Sequence, residues 1–254
     1  MNKFYGRKSC RSGNRVPGHA GRVSVPGKAV MEKRYVLFDL DGTLTDSYEG
    51  IINALRFSLT RFNVEPKPET FRKIIGPPVI WSLKKYYGFD DETAELGLRY
   101  FREYYNMTGY KENKVFPGTE EMLQTLRGHD KKLLVATSKP EAMARRVLEN
   151  FGLSDYFCFI SGSNSDSPVS VESSGLRSTK EDVISYALKT NGILDPENAV
   201  MVGDRRWDID AGKKFGLQTI GVRYGYAAEG ELEEAGADYI ASSPMRVAEF
   251  IVQQ

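Results

Sequence analysis

The chain has 254 residues, with 35 lysines and arginines against 34 aspartates and glutamates, two histidines and two cysteines. That length allows one large domain or two modest ones with a full core. The near-zero net charge gives no overall electrostatic case for nucleic acid, and no apolar run approaches the roughly 18 residues of a membrane-spanning helix. Cys10 and Cys158 cannot build a disulfide framework, and with two histidines they are too few for a Cys/His zinc site.

The charge balance hides an asymmetry. Residues 1–30 carry Lys3, Arg7, Lys8, Arg11, Arg15, Arg22 and Lys28 with no acid, so a total of +1 leaves −6 for the rest. This stretch holds five glycines and two prolines, lacks the apolar segment of a signal peptide and has no helical period. Residues 1–32 are expected to be a disordered basic extension ahead of a start at Met31, with a targeting segment or an anion-binding arm as the other readings.

From Arg34 short apolar runs alternate with amphipathic stretches, the pattern of an α/β protein with a Rossmann-like parallel sheet. The first run is Tyr35 to Leu40. About 90 residues separate it from the second and show no strand pattern; helical faces recur instead, as Ile51, Leu55, Leu59 and Phe62, a short piece around Ile80, Leu83 and Tyr87, and Ala94, Leu98, Phe101 and Tyr105. Residues 46–115 therefore read as an inserted α-helical cap domain, and 33–45 with 116–254 as the core domain. Two adjacent linkers would make the insert a hinged cover for the sheet edge.

The later runs are Lys132 to Ala136, Phe157 to Ile160, Ala199 to Val202, Thr219 to Val222 and a sixth at Tyr239 to Ala241. After the second, Pro140 suits a first helical position, Ala144, Val147, Leu148 and Phe151 share a face, and Gly152 terminates it. Gly162 to Arg177 is rich in Ser and Gly and reads as a mobile loop. Ser178 and Glu181 form a capping box ahead of Val183, Ile184, Ala187 and Leu188, with Gly192 as the stop. A parallel sheet gathers all the loops that follow its strands at one edge, where open α/β folds bind ligands.

The first strand runs into Asp39-Leu40-Asp41-Gly42-Thr43. Alternation along a strand turns both carboxylates to one side, and Gly42 lets the chain bend sharply beneath a ligand. Such a pair repels itself in a partly dry site and calls for a cation or a proton. A solvated turn would also use Asp and Gly, but D-x-D-G-T arises by chance on the order of 10⁻³ times in a chain of this length. The fourth strand ends in Gly203-Asp204, with Asp208 four residues on, where it would lie above Asp204 on a helix. Three acids with no soft ligand nearby favour a hard ion such as Mg²⁺. Thr137 and Ser138 precede a helix whose free N–H groups could hold a phosphate. Lys180 begins another helix, against the macrodipole, and an anion between the two would remove that conflict.

In this arrangement the sequence resembles the haloacid dehalogenase superfamily of phosphotransferases from about Tyr35 to Ile240. Four motifs occur in order: D-L-D-G-T-L at Asp39 to Leu44, Thr137, Lys180, and G-D-x-x-x-D at Gly203 to Asp208. The helical insert, with I-I-G-P-P at Ile74 to Pro78, is similar to the small cap of the phosphoglycolate phosphatase-like branch. The resemblance implies an Mg²⁺-dependent phosphomonoesterase in which Asp39 accepts the phosphoryl group and Asp41 is the acid/base. By the same resemblance the Asp39 side chain, the Asp41 carbonyl and Asp204 hold the metal, with Asp208, Gly42 and Thr43 in support. Thr137, the Ser138 N–H and Lys180 would hold the phosphoryl oxygens.

A cytoplasmic enzyme acting on a small phosphorylated metabolite is the expectation, with no nucleic acid or membrane partner. Phosphoglycolate-type acids and nucleoside 5′-monophosphates are both candidate substrates. A phosphosugar mutase would need cap cations for a second phosphate, for which Arg72, Lys73, Lys84 or Lys85 could serve. A non-catalytic, receiver-like phospho-switch gains nothing from an acid at 41 that hydrolyses its own signal. Dehalogenase chemistry, which the family carries out without that acid, is disfavoured for the same residue. The tyrosines at 86, 87, 104 and 105 read as packing groups, with one of them stacking on a substrate base or ring as the other reading, and Arg205 and Arg206 as solvated or paired to surface acids.

Overall fold

The computed structural model describes residues 33–164 and 174–254. The basic extension and most of the Ser/Gly-rich loop lie outside the described residues.

Six parallel strands form one sheet in the order β5-β4-β1-β6-β7-β8. They are β1 Tyr35–Phe38, β4 Lys132–Pro140, β5 Phe159–Ser163, β6 Ala199–Gly203, β7 Gln218–Val222 and β8 Tyr239–Ala241. The middle stretches of the inner strands are mostly apolar because both faces are covered, with the polar residues of β4 gathered at its ends. Val36, Phe38, Leu133, Val135, Val200 and Val202 face one layer, made of α5 Thr119–Gly128, α6 Glu141–Asn150 and α9 Pro244–Val252. Leu37, Leu134, Ala136, Ala199 and Met201 face the other, which contains α7 Lys180–Thr190 and α8 Arg206–Lys214.

The chain builds outward from β1 in one direction through β4 and in the other through β6, so strand order reverses at β1. A crevice opens at the carboxyl ends of strands where such a reversal occurs. The loops after β1, β4 and β6 meet there.

Between β1 and β4 lies the helical insert, α1 Tyr48–Thr60, α2 Phe71–Ile74, α3 Val79–Tyr87 and α4 Asp91–Met107. It has its own apolar cluster, including Ile52, Leu55, Leu59, Ile75, Leu83 and Phe101. The chain enters it through β2 Thr45–Asp46 and leaves through β3 Lys114–Val115, paired antiparallel. The sequence shows no strand here because two residues carry no periodicity.

Several boundaries differ from the sequence expectation. Phe62 lies beyond the end of α1, β4 continues to Pro140, and β5 starts two residues later than the apolar run and ends at Ser163. Pro140 is the N-cap of α6 rather than its first residue, with ψ 130 still extended. The capping box ahead of α7 is Thr179 with Asp182, not Ser178 with Glu181. The Thr179 hydroxyl accepts the Asp182 N–H at 3.1 Å, and Asp182 accepts the N–H groups of Thr179 at 2.9 Å and Ser178 at 3.0 Å. The two patterns are offset by one residue, and the aspartate wins by taking two amides at once. Among the described residues, no helix is long and apolar enough to cross a membrane.

Candidate active site

Asp39 follows β1 directly, its N–H still bonded to Val202 O at 2.9 Å, so the sheet ladder fixes its backbone. Asp204 follows β6, the adjacent strand, and Asp208 sits in the first turn of α8. One oxygen from each of the three lies within 4.8 Å of the others, and all three residues are buried. The Lys180 Nζ, at the start of α7, stands 2.9 Å from Asp39 Oδ1 and 2.8 Å from Asp208 Oδ1 and donates to Ala136 O at 3.2 Å. The cation that the helix dipole disfavours is thus held by two carboxylates rather than by a bound anion alone.

One lysine does not balance three acids. Burial, then the charges of Asp208 and Asp39, drives the Asp204 carboxyl well above the usual carboxylate range. Burial also pushes Asp208 up to about 6, with Lys180 opposing and Asp39 adding to the rise. Burial pulls Lys180 down, but the carboxylates of Asp208 and Asp39 outweigh it and raise its ammonium above its ordinary value. Asp204 Oδ2 accepts the Tyr226 N–H at 2.7 Å, while the buried Oδ1 has no hydrogen-bond partner among the described residues. An orphaned carboxylate oxygen among mutually repelling acids, with oxygen the only donor type, fits a hard divalent cation such as Mg²⁺.

Gly42 closes this wall. It has φ +84, and a Cβ there would lie 2.1 Å from Asp204 Oδ2, so only glycine lets the β1 loop pass the acid. Thr43 is buried outside the cavity lining and receives the Tyr224 hydroxyl on its carbonyl at 3.1 Å.

Asp41 stands apart from the three-acid cluster: its Oδ2 is 2.7 Å from Lys139 Nζ, and that ammonium lies 4.5 Å from the centre of the Tyr105 ring. The sequence does not single out Lys139 as a site residue, and it marks Tyr105 only as one of four cap tyrosines that pack or stack on a substrate ring. Alternation along the end of β4, which turns 137 and 139 to one side, is the signal that could have found Lys139. Tyr105 comes from α4 of the insert, and only the tertiary fold brings it to Lys139.

Above Asp39 and Asp41 a cavity of about 450 Å³ opens between sheet edge and insert. Thr137, Ser138 and Lys139 line its core side, and Ile80, Leu98 and Phe101 its insert side. Thr137 Oγ1 accepts the Lys139 N–H at 3.3 Å. Lys180, Asp204 and Asp208 are not among the lining residues, so they lie behind the wall that Asp39 forms.

Arg72, Lys73, Lys84 and Lys85, the cations a second phosphate would need, do not line the cavity either. Lys84 pairs with Asp91 and Lys85 lies 4.3 Å from the Trp81 ring centre. Arg102 and Arg146 do line it. Arg205 and Arg206 are both paired to acids, Arg205 with Glu231 at 2.8 Å and Arg206 with Asp210 at 3.5 Å, and Arg205 also donates to Ile75 O of the insert.

The raised carboxyls have a consequence for stability. The folded state retains protons on Asp204 and Asp208 that the unfolded chain releases near pH 4, so their favourable contribution is complete below that pH; the part from Asp208 is lost as pH rises through about 6, and Asp204, whose carboxyl is also raised, adds to the loss in the same direction. In EDTA the melting temperature should fall between pH 5 and 7.5, and Mg²⁺ should abolish most of the fall by neutralising the same charges. A melting temperature in EDTA that climbs over this interval contradicts the assignment.

The family model for haloacid dehalogenase-like hydrolases matches residues 36–222. A 5′-nucleotidase of Pseudomonas aeruginosa is 39% identical over 198 residues, covering 78% of this chain and 86% of that protein. The tyrosine-protein kinase PtkA of Mycobacterium tuberculosis is 38% identical over 206 residues, 81% of this chain, which spans 66% of the kinase. A phosphoglycolate phosphatase of Aquifex aeolicus is 32% identical over 214 residues, 83% of this chain and 93% of that enzyme. The crystal structure of a predicted phosphatase from Clostridium acetobutylicum superposes with TM-score 0.79 at 41% identity, covering 88% of this chain and all of that one. The chain belongs to the haloacid dehalogenase-like hydrolases, on the phosphoglycolate phosphatase-like side of that family, and is an enzyme of the phosphatase type.

Proposed function

We propose that the chain is an Mg²⁺-dependent phosphomonoesterase that works through a phosphorylated Asp39. The observation that supports this most is the meeting of Asp39, Asp204 and Asp208 in one buried cluster whose Asp39 and Asp208 share the ammonium of Lys180, with Asp39 alone of the four lining the cavity. An Asp39 carboxylate oxygen attacks phosphorus and the ester P–O bond breaks, while the Asp41 carboxyl gives its proton to the leaving oxygen. Asp41 then takes a proton from water as that water attacks the aspartyl phosphate, releasing inorganic phosphate and restoring Asp39. Before the first turnover Asp41 must part from Lys139 and take up a proton from solvent to serve the leaving oxygen, and the attacking water restores that proton in each cycle.

The Thr137 hydroxyl and Ser138 N–H hold phosphoryl oxygens, and Lys180 offsets the charge that gathers behind Asp39. Asp39, the Asp41 carbonyl and Asp204 hold the metal, with Asp208 in support; when bound it supplies positive charge against the transferred group. Uncatalysed hydrolysis of phosphate monoesters is so slow that accelerations reach ~10²¹, of which proton transfer gives only about 10² to 10⁴. Positioning and charge must supply the rest.

The substrate is a small phosphorylated metabolite. Within that class the cavity favours a nucleoside 5′-monophosphate over a two-carbon acid. Its volume of about 450 Å³ is within the range that holds a drug-sized ligand, and Ile80, Leu98, Phe101 and Met143 give it an apolar wall a glycolate would leave uncovered. The similarity to a 5′-nucleotidase points the same way.

Phosphate release from nucleoside monophosphates, 2-phosphoglycolate, sugar phosphates and p-nitrophenyl phosphate, with Mg²⁺ and with EDTA, tests both levels. Release that requires Mg²⁺, with kcat/KM for a nucleoside monophosphate at least about tenfold above that for 2-phosphoglycolate, is expected. The reverse ranking returns the substrate to the glycolate type. Dependence on a bisphosphate activator with little free phosphate would identify a mutase and overturn the hydrolase reading.

A further inference from the structure

The loop after β7 touches both the acid cluster and the insert. Its Tyr226 N–H donates to Asp204 Oδ2 at 2.7 Å. The preceding Gly225 is pressed so close that a Cβ would lie 2.3 Å from the Asp204 Cβ and 2.4 Å from Gly42 O. Asp204 is therefore gripped between the β1 loop and this one, and a shift of either moves its carboxylate.

The same two residues are held by the insert. Arg72, on α2, donates to Gly225 O at 2.8 Å, and its guanidinium lies 5.7 Å from the centre of the Tyr226 ring. The Tyr226 hydroxyl donates to Asp46 Oδ1 at 2.6 Å, in the strand by which the chain enters the insert. Although Tyr226 belongs to the core by sequence, its buried ring packs in the apolar cluster of the insert. Burial, followed by the hydrogen bond to Asp46, raises its hydroxyl far above the ordinary tyrosine value, so it remains a donor to that carboxylate at any physiological pH.

We propose that Tyr226 and Arg72 are positioning residues that make the orientation of Asp204 depend on how the insert is seated. With the insert down, Arg72 and Asp46 hold the 225–226 peptide where its N–H fixes Asp204 Oδ2 and leaves Oδ1 directed at the acid cluster. When the insert swings away both contacts part, the peptide is released, and Asp204 loses its fixed orientation. Metal binding and insert closure are then linked, and linkage is reciprocal: whatever closure does for the metal, the metal does for closure. The inference rests on the reading of Asp204 as a metal ligand.

The test uses the full chain, its Arg72→Met and Tyr226→Phe variants, and Asp204→Asn as a control. Tyr226→Phe keeps the backbone N–H and the ring, and Arg72→Met keeps the aliphatic stem. Mg²⁺ affinity is measured calorimetrically without substrate, and amide hydrogen exchange is followed at 45–46, 114–115 and 225–226 with and without Mg²⁺. The expected result is an affinity about tenfold weaker in each variant, together with Mg²⁺-dependent protection of the linker amides in the wild type that both variants lose.

Wild-type affinity in both variants with linker protection retained would overturn the coupling, as would wild-type protein that binds Mg²⁺ without protecting the linkers. If Asp204→Asn binds Mg²⁺ as the wild type does, the metal reading fails, and this inference with it. A variant that loses its cooperative melt in EDTA is replaced by Arg72→Lys, which keeps the charge but must reach Gly225 O with a different head group; unchanged affinity and protection there also overturn the coupling.

Discussion

Asp39→Asn should lower turnover by about 10⁴-fold or more while leaving the fold intact. The amide has the shape of the carboxylate but no anionic oxygen to form the bond to phosphorus. Asp39 is 7% exposed and opens onto the cavity, whereas Asp204 and Asp208 are covered, so no other acid of the cluster can take its place as nucleophile. The substitution also removes one of three repelling charges and one of the two ion pairs of Lys180, leaving the pair to Asp208. These opposing changes should keep the melting temperature in EDTA near that of the parent. Phosphate release and acid-quench trapping of phosphorylated protein are the measurements. Activity above a tenth of normal, in a variant whose melt is unchanged, would remove Asp39 from the nucleophile's place.

The acids were legible in the sequence because each sits in a short local pattern at a strand end, and a parallel sheet obliges strand ends to share an edge. Asp39 and Asp204 meet because β1 and β6 are neighbours, which the D-x-D-G-T and G-D-x-x-x-D motifs do not themselves encode. What the sequence hid are contacts made by groups without a residue signature. The Tyr226 N–H on Asp204 is a backbone donor, available to any residue but proline. The Lys139 pair with Asp41 joins positions 98 residues apart, and the Tyr105 ring beneath it comes from the insert. Lys180 is legible at a helix start, where an anion would offset its charge, but the two carboxylates beside its ammonium come from the end of β1 and from α8, which no local pattern links to it. The strands β2 and β3 escaped notice for a simpler reason, being too short to alternate.

The position of Lys180 leads to the second large effect. Its side chain is 6% exposed and supplies the cation shared by Asp39 and Asp208, so Lys180→Met strands those acids beside Asp204 in a dry site. Removing one partner of a buried ion pair costs about 3–5 kcal/mol, which for a chain of this size lowers the melting temperature by roughly 6–20 °C. The loss should be greatest in EDTA and smaller with Mg²⁺, since a divalent ion offsets the same acids. It should also shrink as pH falls toward 5, where the raised carboxyls of Asp204 and Asp208 take up protons. Turnover should drop by at least about 10²-fold even with Mg²⁺ saturating, because the charge that moves onto Asp39 with the phosphoryl group no longer meets an ammonium. Lys180→Arg separates the two roles: it restores the charge and much of the stability, but a planar fork cannot reach Asp39, Asp208 and the Ala136 carbonyl as the tetrahedral ammonium does. Thermal melts at pH 5 and 7.5, with EDTA and with Mg²⁺, read the first role and steady-state kinetics the second. A Lys180→Met protein that melts like the parent under all four conditions would mean that Asp39 and Asp208 are not held together by this lysine.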